Sequence, residues 1–250
     1  MSAIRVAVIG ANGRMGSHLC ELAHASPALT LAARVVAAGE AGGVQLAELD
    51  PQSVDVCVDF SHRAAVSEVA EWIARHGKPW VLGTTGLSAF DEQALAGAAA
   101  QAPVFLASNF SIGVALLADL CARAAKVLGV DADVEIVETH HHGKRDAPSG
   151  TALSLGHAVA AARGQDLSNV RRDGRVGQVG ERPVGEIGFH AVRLADIVGE
   201  HEVHFAWGCE RLTLRHDARD RKVFAQGALR AASWLVGQKP GRYGMSDLLK

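Results

Sequence analysis

Ile4-Arg5-Val6-Ala7-Val8-Ile9-Gly10-Ala11-Asn12-Gly13-Arg14-Met15-Gly16 opens the chain with a β-rich apolar run that breaks at once into a glycine loop. The run predicts a strand over residues 4–9, and residues 13–24 carry helical spacing. Glycines at this junction permit a tight turn and let backbone N–H groups approach a pyrophosphate. The following helix N-terminus adds a favourable dipole and free donors. The spacing is Gly-x-x-Gly-x-x-Gly, not the commoner Gly-x-Gly-x-x-Gly, so an ordinary strand–helix turn is the competing reading. The place of the loop, directly after a first strand, favours cofactor binding.

Working outward, strand-like and helix-like segments continue to alternate. Residues 29–36, 54–60, 79–82 and 104–107 read as strands, and residues 64–76 and 88–101 as helices. Alternation with short connections predicts a parallel sheet covered on both faces. Two more small-residue loops end strands of this series, Gly83-Thr84-Thr85-Gly86 and Ala107-Ser108-Asn109-Phe110-Ser111. Each alone is only a turn. Ligands of open α/β sheets lie beyond the carboxyl ends of the strands, so three such loops could wrap one dinucleotide.

The pattern changes after Asn109. A helix over 112–128 leads to a strand over 134–139, a polar loop, and a helix over 150–163. Residues 166–185, rich in Gly and Arg, read as a loop. Residues 186–193, 202–206 and 211–215 alternate apolar and polar positions, as half-buried antiparallel strands do. A last helix over 224–236 has a tail that returns to the first domain. The fold class is therefore α/β: a Rossmann-like dinucleotide-binding domain over 1–110, joined by 222–250, plus an α+β domain over 111–221. The second domain carries an open mixed sheet, a face of which is expected to need a partner.

Composition sets limits on function. Of the 250 residues, 48% are hydrophobic, enough to bury a sizeable core, and a net charge of −2 gives no general case for nucleic acid. Cys20, Cys57, Cys121 and Cys209 lie far apart without a Cys-x-x-Cys pair, which suits buried thiols in a reducing compartment. The apolar run over 6–9 enters a glycine loop too soon for a signal peptide. The longest apolar stretch, 112–130, is interrupted by Asp119, Arg123 and Lys126, as in an amphipathic core helix and not a membrane span. The expectation is a cytoplasmic protein with no membrane or nucleic-acid partner.

The sharpest segment is Glu138-Thr139-His140-His141-His142-Gly143-Lys144-Arg145-Asp146-Ala147-Pro148-Ser149-Gly150-Thr151. Adjacent histidines on a strand point to opposite faces, and no acidic or thiol ligand stands at a familiar spacing. No metal is expected. Ser149 is placed to N-cap the helix that follows, and the N–H groups of that turn form an anion site. With Lys144 and a histidine, the loop suits a small carboxylate substrate, and either side chain can deliver a proton.

Together these motifs resemble the 4-hydroxy-tetrahydrodipicolinate (dihydrodipicolinate) reductase family across nearly the whole chain. The likeness includes Gly180-Glu181-Arg182, Ile187-Gly188-Phe189, Asp196-Ile197-Val198-Gly199-Glu200-His201 and Glu210-Arg211-Leu212. His-His-x-x-Lys followed by Asp-Ala-Pro-Ser-Gly-Thr is its most specific part. The resemblance implies a homotetramer that reduces a cyclic imine-type dicarboxylate with NADH or NADPH to tetrahydrodipicolinate, in lysine and diaminopimelate biosynthesis. It implies catalytic roles for His140 and Lys144, and substrate contacts from His141, Lys144, Ser149, Gly150 and Thr151. Cofactor contacts implied are Gly10, Ala11, Asn12, Gly13, Arg14, Met15, Gly83, Thr84, Thr85, Ala107, Ser108, Asn109, Phe110 and Arg221.

The chain departs from the family where the second strand ends. The usual acidic residue there is replaced by Val36, 20 residues past Gly16, and Ala37 stands where a basic residue is common. Arg63-Ala64 replaces a common Pro-Glu. An acid at this place holds the ribose 2′-OH and repels a 2′-phosphate. Its loss predicts that both cofactors work, with NADPH equal or preferred, and Arg63 and Arg34 as the arginines to reach the phosphate. A strong preference for NADH would require another residue, Glu40 for one, to swing in. Rival readings are a reductase of another small carboxylate on the same scaffold, such as an amino-acid semialdehyde, and a non-catalytic NAD(P)-sensing protein. The first would need a catalytic cysteine in a cofactor loop, and the second would need no Lys144, Ser149 or Thr151.

Overall fold

The computed structural model describes residues 2–250. In chain order the elements are β1 (Ile4–Ile9), α1 (Arg14–Ala25), β2 (Leu29–Val35), β3 (Val56–Asp59), α2 (Val66–His76), β4 (Trp80–Leu82), α3 (Ala89–Ala99) and β5 (Pro103–Leu106). Next come α4 (Ile112–Leu128), β6 (Asp133–His140), α5 (Gly150–Ala162), α6 (Leu167–Val170), β7 (Arg171–Asp173), β8 (Ile187–Arg193), β9 (Gly199–Trp207) and β10 (Glu210–Ala218). The chain ends with α7 (Lys222–Leu235), β11 (Gly241–Tyr243) and α8 (Met245–Leu248). Two compact units result, one of residues up to 111 with 222–250, the other of residues 112–221.

The first unit is a six-stranded parallel sheet in the order β11-β5-β4-β3-β1-β2. Strand alternation sends Val6 and Val8 to one face, packed with Leu19, Ala225 and Ala228 of α1 and α7. Ala7 and Ile9 go to the other face, packed with Val69 and Ile73 of α2 and Leu95 of α3. Each fully buried Val or Ile of this kind contributes about 1.5–3 kcal/mol relative to exposure. Covering both faces is what a parallel sheet requires, and it leaves the carboxyl ends of β1, β3, β4 and β5 as the place where loops can meet a ligand.

The second unit is a mixed sheet in the order β10-β9-β6-β8-β7. β9 runs antiparallel to β6 and β10, whereas β8 runs parallel to β6 and β7 parallel to β8. The antiparallel reading of 186–193 is corrected here: a side-chain alternation is the same in either direction and does not carry the sense of pairing. The segment 166–185, read as a loop, holds the short helix α6 and strand β7. The core row of β6 is Val134 and Ile136, and that of β9 is Phe205 and Val203. Both rows pack with Leu117, Leu155 and Phe189. The same two rows then continue into polar residues: Glu138 and His140 on β6, and His201 on β9, all buried.

Candidate active site

The first unit presents a groove along the carboxyl ends of its strands. Gly10 adopts φ +77, and a Cβ there would stand 2.8 Å from the backbone of Ser61. A Cβ on Gly16 would stand 2.1 Å from the Gly10 carbonyl oxygen. The loop therefore folds only with glycine at both places. Helix α1 begins with no side-chain cap and no acidic residue in its first turn, so its positive end is open to an anion, as a pyrophosphate site requires. A cavity of about 490 Å³ borders Gly10, Asn12 and Gly13 on one side and Val36, Phe60 and His62 on the other. A second, of about 310 Å³, shares Phe60, Ser61 and His62 with the first and extends to Met15, Arg63, Gly83, Thr84 and Thr85. Continuity through three shared residues gives room for an extended ligand.

The expected cofactor residues divide by what they can offer. Gly83 is packed flat on the Phe60 ring, 2.3 Å from where a Cβ would sit, and Thr84 donates its hydroxyl to the Ser61 carbonyl at 3.0 Å. Ala11 and Phe110 lie in the core, Phe110 against Phe60 and Phe105 at 5.4 and 5.9 Å between ring centroids, so neither turns its side chain to a ligand. Asn109 accepts from the Ser111 amide at 2.8 Å, which fixes the loop after β5, with Ala107 half-buried and Ser108 exposed. Arg221 lies in the second unit, where it donates to Nε2 of His141 at 3.3 Å. The arginines expected at the adenosine end are already engaged. Arg63 bonds Asp91 at 2.8 Å, and Arg34 donates to Gly42 O at 2.8 Å and Asn12 Oδ1 at 3.0 Å.

In the second unit, strand alternation does the positioning. Glu138 and His140 are two apart on β6 and so share its core-side face. Nδ1–H of His140 donates to the Glu138 carboxylate at 2.5 Å. Arg193, opposite His140 in the β6–β8 register, grips the same carboxylate through both terminal nitrogens at 2.9 and 3.0 Å. The Ser149 amide donates to it at 3.0 Å. Burial would raise the Glu138 pKa, but these donors outweigh it and hold the group below its ordinary value. Burial pulls His140 below its ordinary value, opposed by Glu138 and assisted by Lys144 and Arg193. His140 is thus a neutral imidazole at pH 7 with its proton on Nδ1 and its lone pair on Nε2.

His201, opposite Glu138 on β9, meets the Ser149 hydroxyl through Nε2 at 3.1 Å and His140 edge-on at 5.1 Å. Burial, then the neighbouring His140, push its pKa down to about 3. Ser149 caps α5 by accepting from the Ala152 amide at 3.1 Å. Gly150 and Thr151 form the first turn of α5, which carries no acidic residue. Lys144 holds Asp146 at 2.9 Å, and His142 donates to the Ala195 carbonyl at 2.7 Å. The three consecutive histidines therefore take separate partners, and no cluster of metal-ligating side chains occurs among the described residues. Glu138, Arg193, Gly199 and His201 are the site residues that sequence reading left out. Glu138 carried a signal in its two-residue spacing from His140, and Gly199 and His201 stood in a motif of the family resemblance with no role attached; Arg193 carried none.

Three of the four thiols are buried as expected, whereas Cys209 is exposed at the turn between β9 and β10. Cys57 and Cys121 are buried, and burial pushes each up to about 12. No helix among the described residues is long and apolar enough to cross a membrane.

Comparison with known proteins points to one family. The family model described as dihydrodipicolinate reductase, N-terminus, matches residues 4–110, and that described as dihydrodipicolinate reductase, C-terminus, matches residues 113–249. The 4-hydroxy-tetrahydrodipicolinate reductase of Acidiphilium cryptum is 48% identical over 247 residues, covering 98% of this chain and 97% of that protein. The enzyme of the same name from Halorhodospira halophila is 44% identical, with 98% of each chain covered. Among solved structures, the dipicolinate-bound dihydrodipicolinate reductase of Paenisporosarcina sp. TG-14 superposes with a TM-score of 0.80 at 26% identity, covering 98% of this chain and 99% of that one. The diaminopimelate dehydrogenase of C. glutamicum, at 13% identity and a TM-score of 0.56, shares the fold alone.

Proposed function

The chain belongs to the dihydrodipicolinate reductase family, and from that premise we propose that it reduces 4-hydroxy-tetrahydrodipicolinate, or its dehydrated form, to tetrahydrodipicolinate in lysine and diaminopimelate biosynthesis. The observation that carries the reading is the pair of buried Glu138 and His140, held by half-buried Arg193, beside the capped N-terminus of α5. A dicarboxylate needs both cationic and amide partners, and this unit supplies them within one loop and one helix turn.

The nicotinamide, when bound, supplies the hydride. The first unit holds the dinucleotide through Gly10, Asn12, Gly13, Arg14 and Met15, through Gly83, Thr84 and Thr85, and through the Ala107–Phe110 loop, with Ala11 and Phe110 supporting the loops from the core. In the second unit, Gly150 and Thr151 receive a substrate carboxylate at the positive end of α5, and the Ser149 hydroxyl orients it. His141 and Lys144 bind the substrate from the loop. An incoming anion competes with the exposed Asp146 for the Lys144 ammonium. His140, neutral with its proton on Nδ1, presents only a lone pair at Nε2, so it accepts and orients, and Lys144 delivers the proton. Aligned proton transfer of this kind is worth roughly 10²–10⁴-fold in rate. Arg221 bears on the site by fixing the ring of His141.

We place the enzyme in the cytoplasm as a homotetramer. Its four cysteines are unpaired, as thiols are in a reducing compartment. The test is the absorbance of the reduced nicotinamide in an assay coupled to the upstream synthase, with each cofactor in turn. Oxidation that depends on the synthase product supports the reading; no oxidation with either cofactor overturns it.

A further inference from the structure

The cavity beyond Gly10 and Gly13 has a charge pattern that the sequence alone did not suggest. Its lining contains no lysine and no arginine. It contains two carboxylates, Glu40 and Glu68, with His62 as the one basic side chain. Glu40 lies in the loop after β2, four residues past Val36, the position at which the family's acid is missing. It does not hang free. Nδ2 of Asn12, in the glycine loop, donates to Glu40 Oε2 at 2.9 Å and to the Ala41 carbonyl at 3.1 Å. The Glu40 amide closes a turn on the Ala37 carbonyl at 3.0 Å. Arg34 steadies this arrangement from outside, through Asn12 Oδ1 and the Gly42 carbonyl. Among the described residues no ion pair within 4.0 Å neutralises Glu40, and its second oxygen is left to accept.

Resting on the nucleotide reading of this groove, we propose that Glu40 is the specificity-determining residue for the adenosine end of the cofactor, accepting from the ribose 2′-hydroxyl and rejecting a 2′-phosphate, so that the protein prefers NADH. The physics follows from what faces the cavity. A carboxylate accepts hydrogen bonds from a ribose diol but repels a phosphate that carries close to two negative charges. Arg34 does not line the cavity and Arg63 borders only the adjoining one, and both are committed, Arg63 to Asp91 and Arg34 to Asn12 with Gly42. The expectation of equal or preferred NADPH is thereby reversed: a chain can lose the acid at the strand end and regain it from the following loop, because Asn12 draws Glu40 back over the glycines.

Binding of ADP-ribose and of 2′-phospho-ADP-ribose, measured by calorimetry on the full chain, separates the ribose question from turnover. The wild-type protein is expected to bind the 2′-hydroxyl form at least about tenfold more tightly. Glu40→Gln keeps an acceptor for Asn12 but removes the charge, and is expected to shrink that ratio about tenfold. Glu68→Gln is expected to leave it nearly unchanged. Equal or tighter binding of the phosphorylated form by wild type overturns the proposal while leaving the dinucleotide site standing. So does an unchanged ratio in Glu40→Gln, or a larger change in Glu68→Gln. Failure of both nucleotides to bind overturns the proposal together with the cofactor reading beneath it. Glu40→Ala, assayed alongside, is expected to shift the ratio in the same direction as Glu40→Gln.

Discussion

The carboxylate of Glu138 meets Nδ1 of His140 at 2.5 Å, from a position two residues earlier on the same strand face. One face of β6 thus begins as hydrophobic core at Val134 and Ile136 and ends as chemistry. The carboxylate is almost wholly enclosed, and its charge is sustained by Arg193 and the Ser149 amide. An unpaired buried charge is costly, by about 3–5 kcal/mol when one partner is removed. Glu138, Arg193 and His140 therefore act as one unit, in which Glu138 fixes the tautomer and ring plane of His140.

Glu138→Gln should lower kcat by at least about tenfold, within the range that an oriented acid–base group contributes, with little change in the KM for the nicotinamide. Because Glu138 raises the His140 pKa against burial, its loss should also move the acid limb of the kcat/KM profile to lower pH. A lower kcat with an unmoved limb would show that Glu138 serves only packing.

Lys144→Ala and His140→Ala should each lose most turnover, about 10²-fold or more, while far-UV dichroism stays native. Lys144 lies in a loop, and its ion pair with Asp146 is at the surface. Loss of an interaction made only in the transition state lowers kcat, whereas loss of ground-state binding raises KM. Near-normal kcat in both variants would remove the catalytic assignment.

Asp59 ends β3 fully buried, accepts the Ser61 amide at 2.8 Å through one oxygen, and among the described residues has no hydrogen-bond partner for the other. Burial raises its pKa to about 6 from an ordinary 3.8. Between these values the folded protein holds a proton that the unfolded chain has released, so stability falls as pH rises across that window. The full effect is roughly 3 kcal/mol or less. Denaturant titrations from pH 4 to 7 should show this fall, and Asp59→Asn should remove it. The same slope in both proteins would place Asp59 outside the linkage.

The second unit should form a homotetramer in solution. The family membership motivates the number four; one face of the sheet is core, and the other, with half-buried Glu135, His190, Glu200, Glu202 and His204, is the face left for a partner. Light scattering at micromolar concentration should give four times the monomer mass of 26.2 kDa. A stable monomer under those conditions would defeat the expectation.

How much of this was legible beforehand depended on the range of the interaction. The parallel sheet was readable because runs such as Val6–Ile9 and the glycines after them are local signals. The pairing sense of β8 was not, since alternation is the same in parallel and antiparallel ladders. His140, Lys144 and Ser149 stood in one motif. Arg193 and His201, 53 and 61 residues from His140, are brought to the site by strand register, which no local pattern discloses, although His201 stood in a family motif. Glu40 was visible, but only the Asn12 side chain, bonding across 28 residues, shows where it sits.

Gly199, at the start of β9 opposite Ala218, makes the most discriminating variant. Its backbone lies outside the left-handed region, so alanine imposes no conformational strain there, yet a Cβ would stand 2.9 Å from Nε2 of His140. Real Cβ atoms do not approach so closely, and the ring must move. Glu138 and Arg193 oppose that movement, so the added methyl either breaks the 2.5 Å bond to Glu138 or covers the Nε2 lone pair. In both cases His140 can no longer accept or orient at that atom. Gly199→Ala should therefore lower kcat about tenfold or more, with nucleotide binding to the first unit unchanged and Tm reduced by only a few degrees. Normal kcat in a folded Gly199→Ala protein would mean that Nε2 of His140 faces nothing the reaction needs.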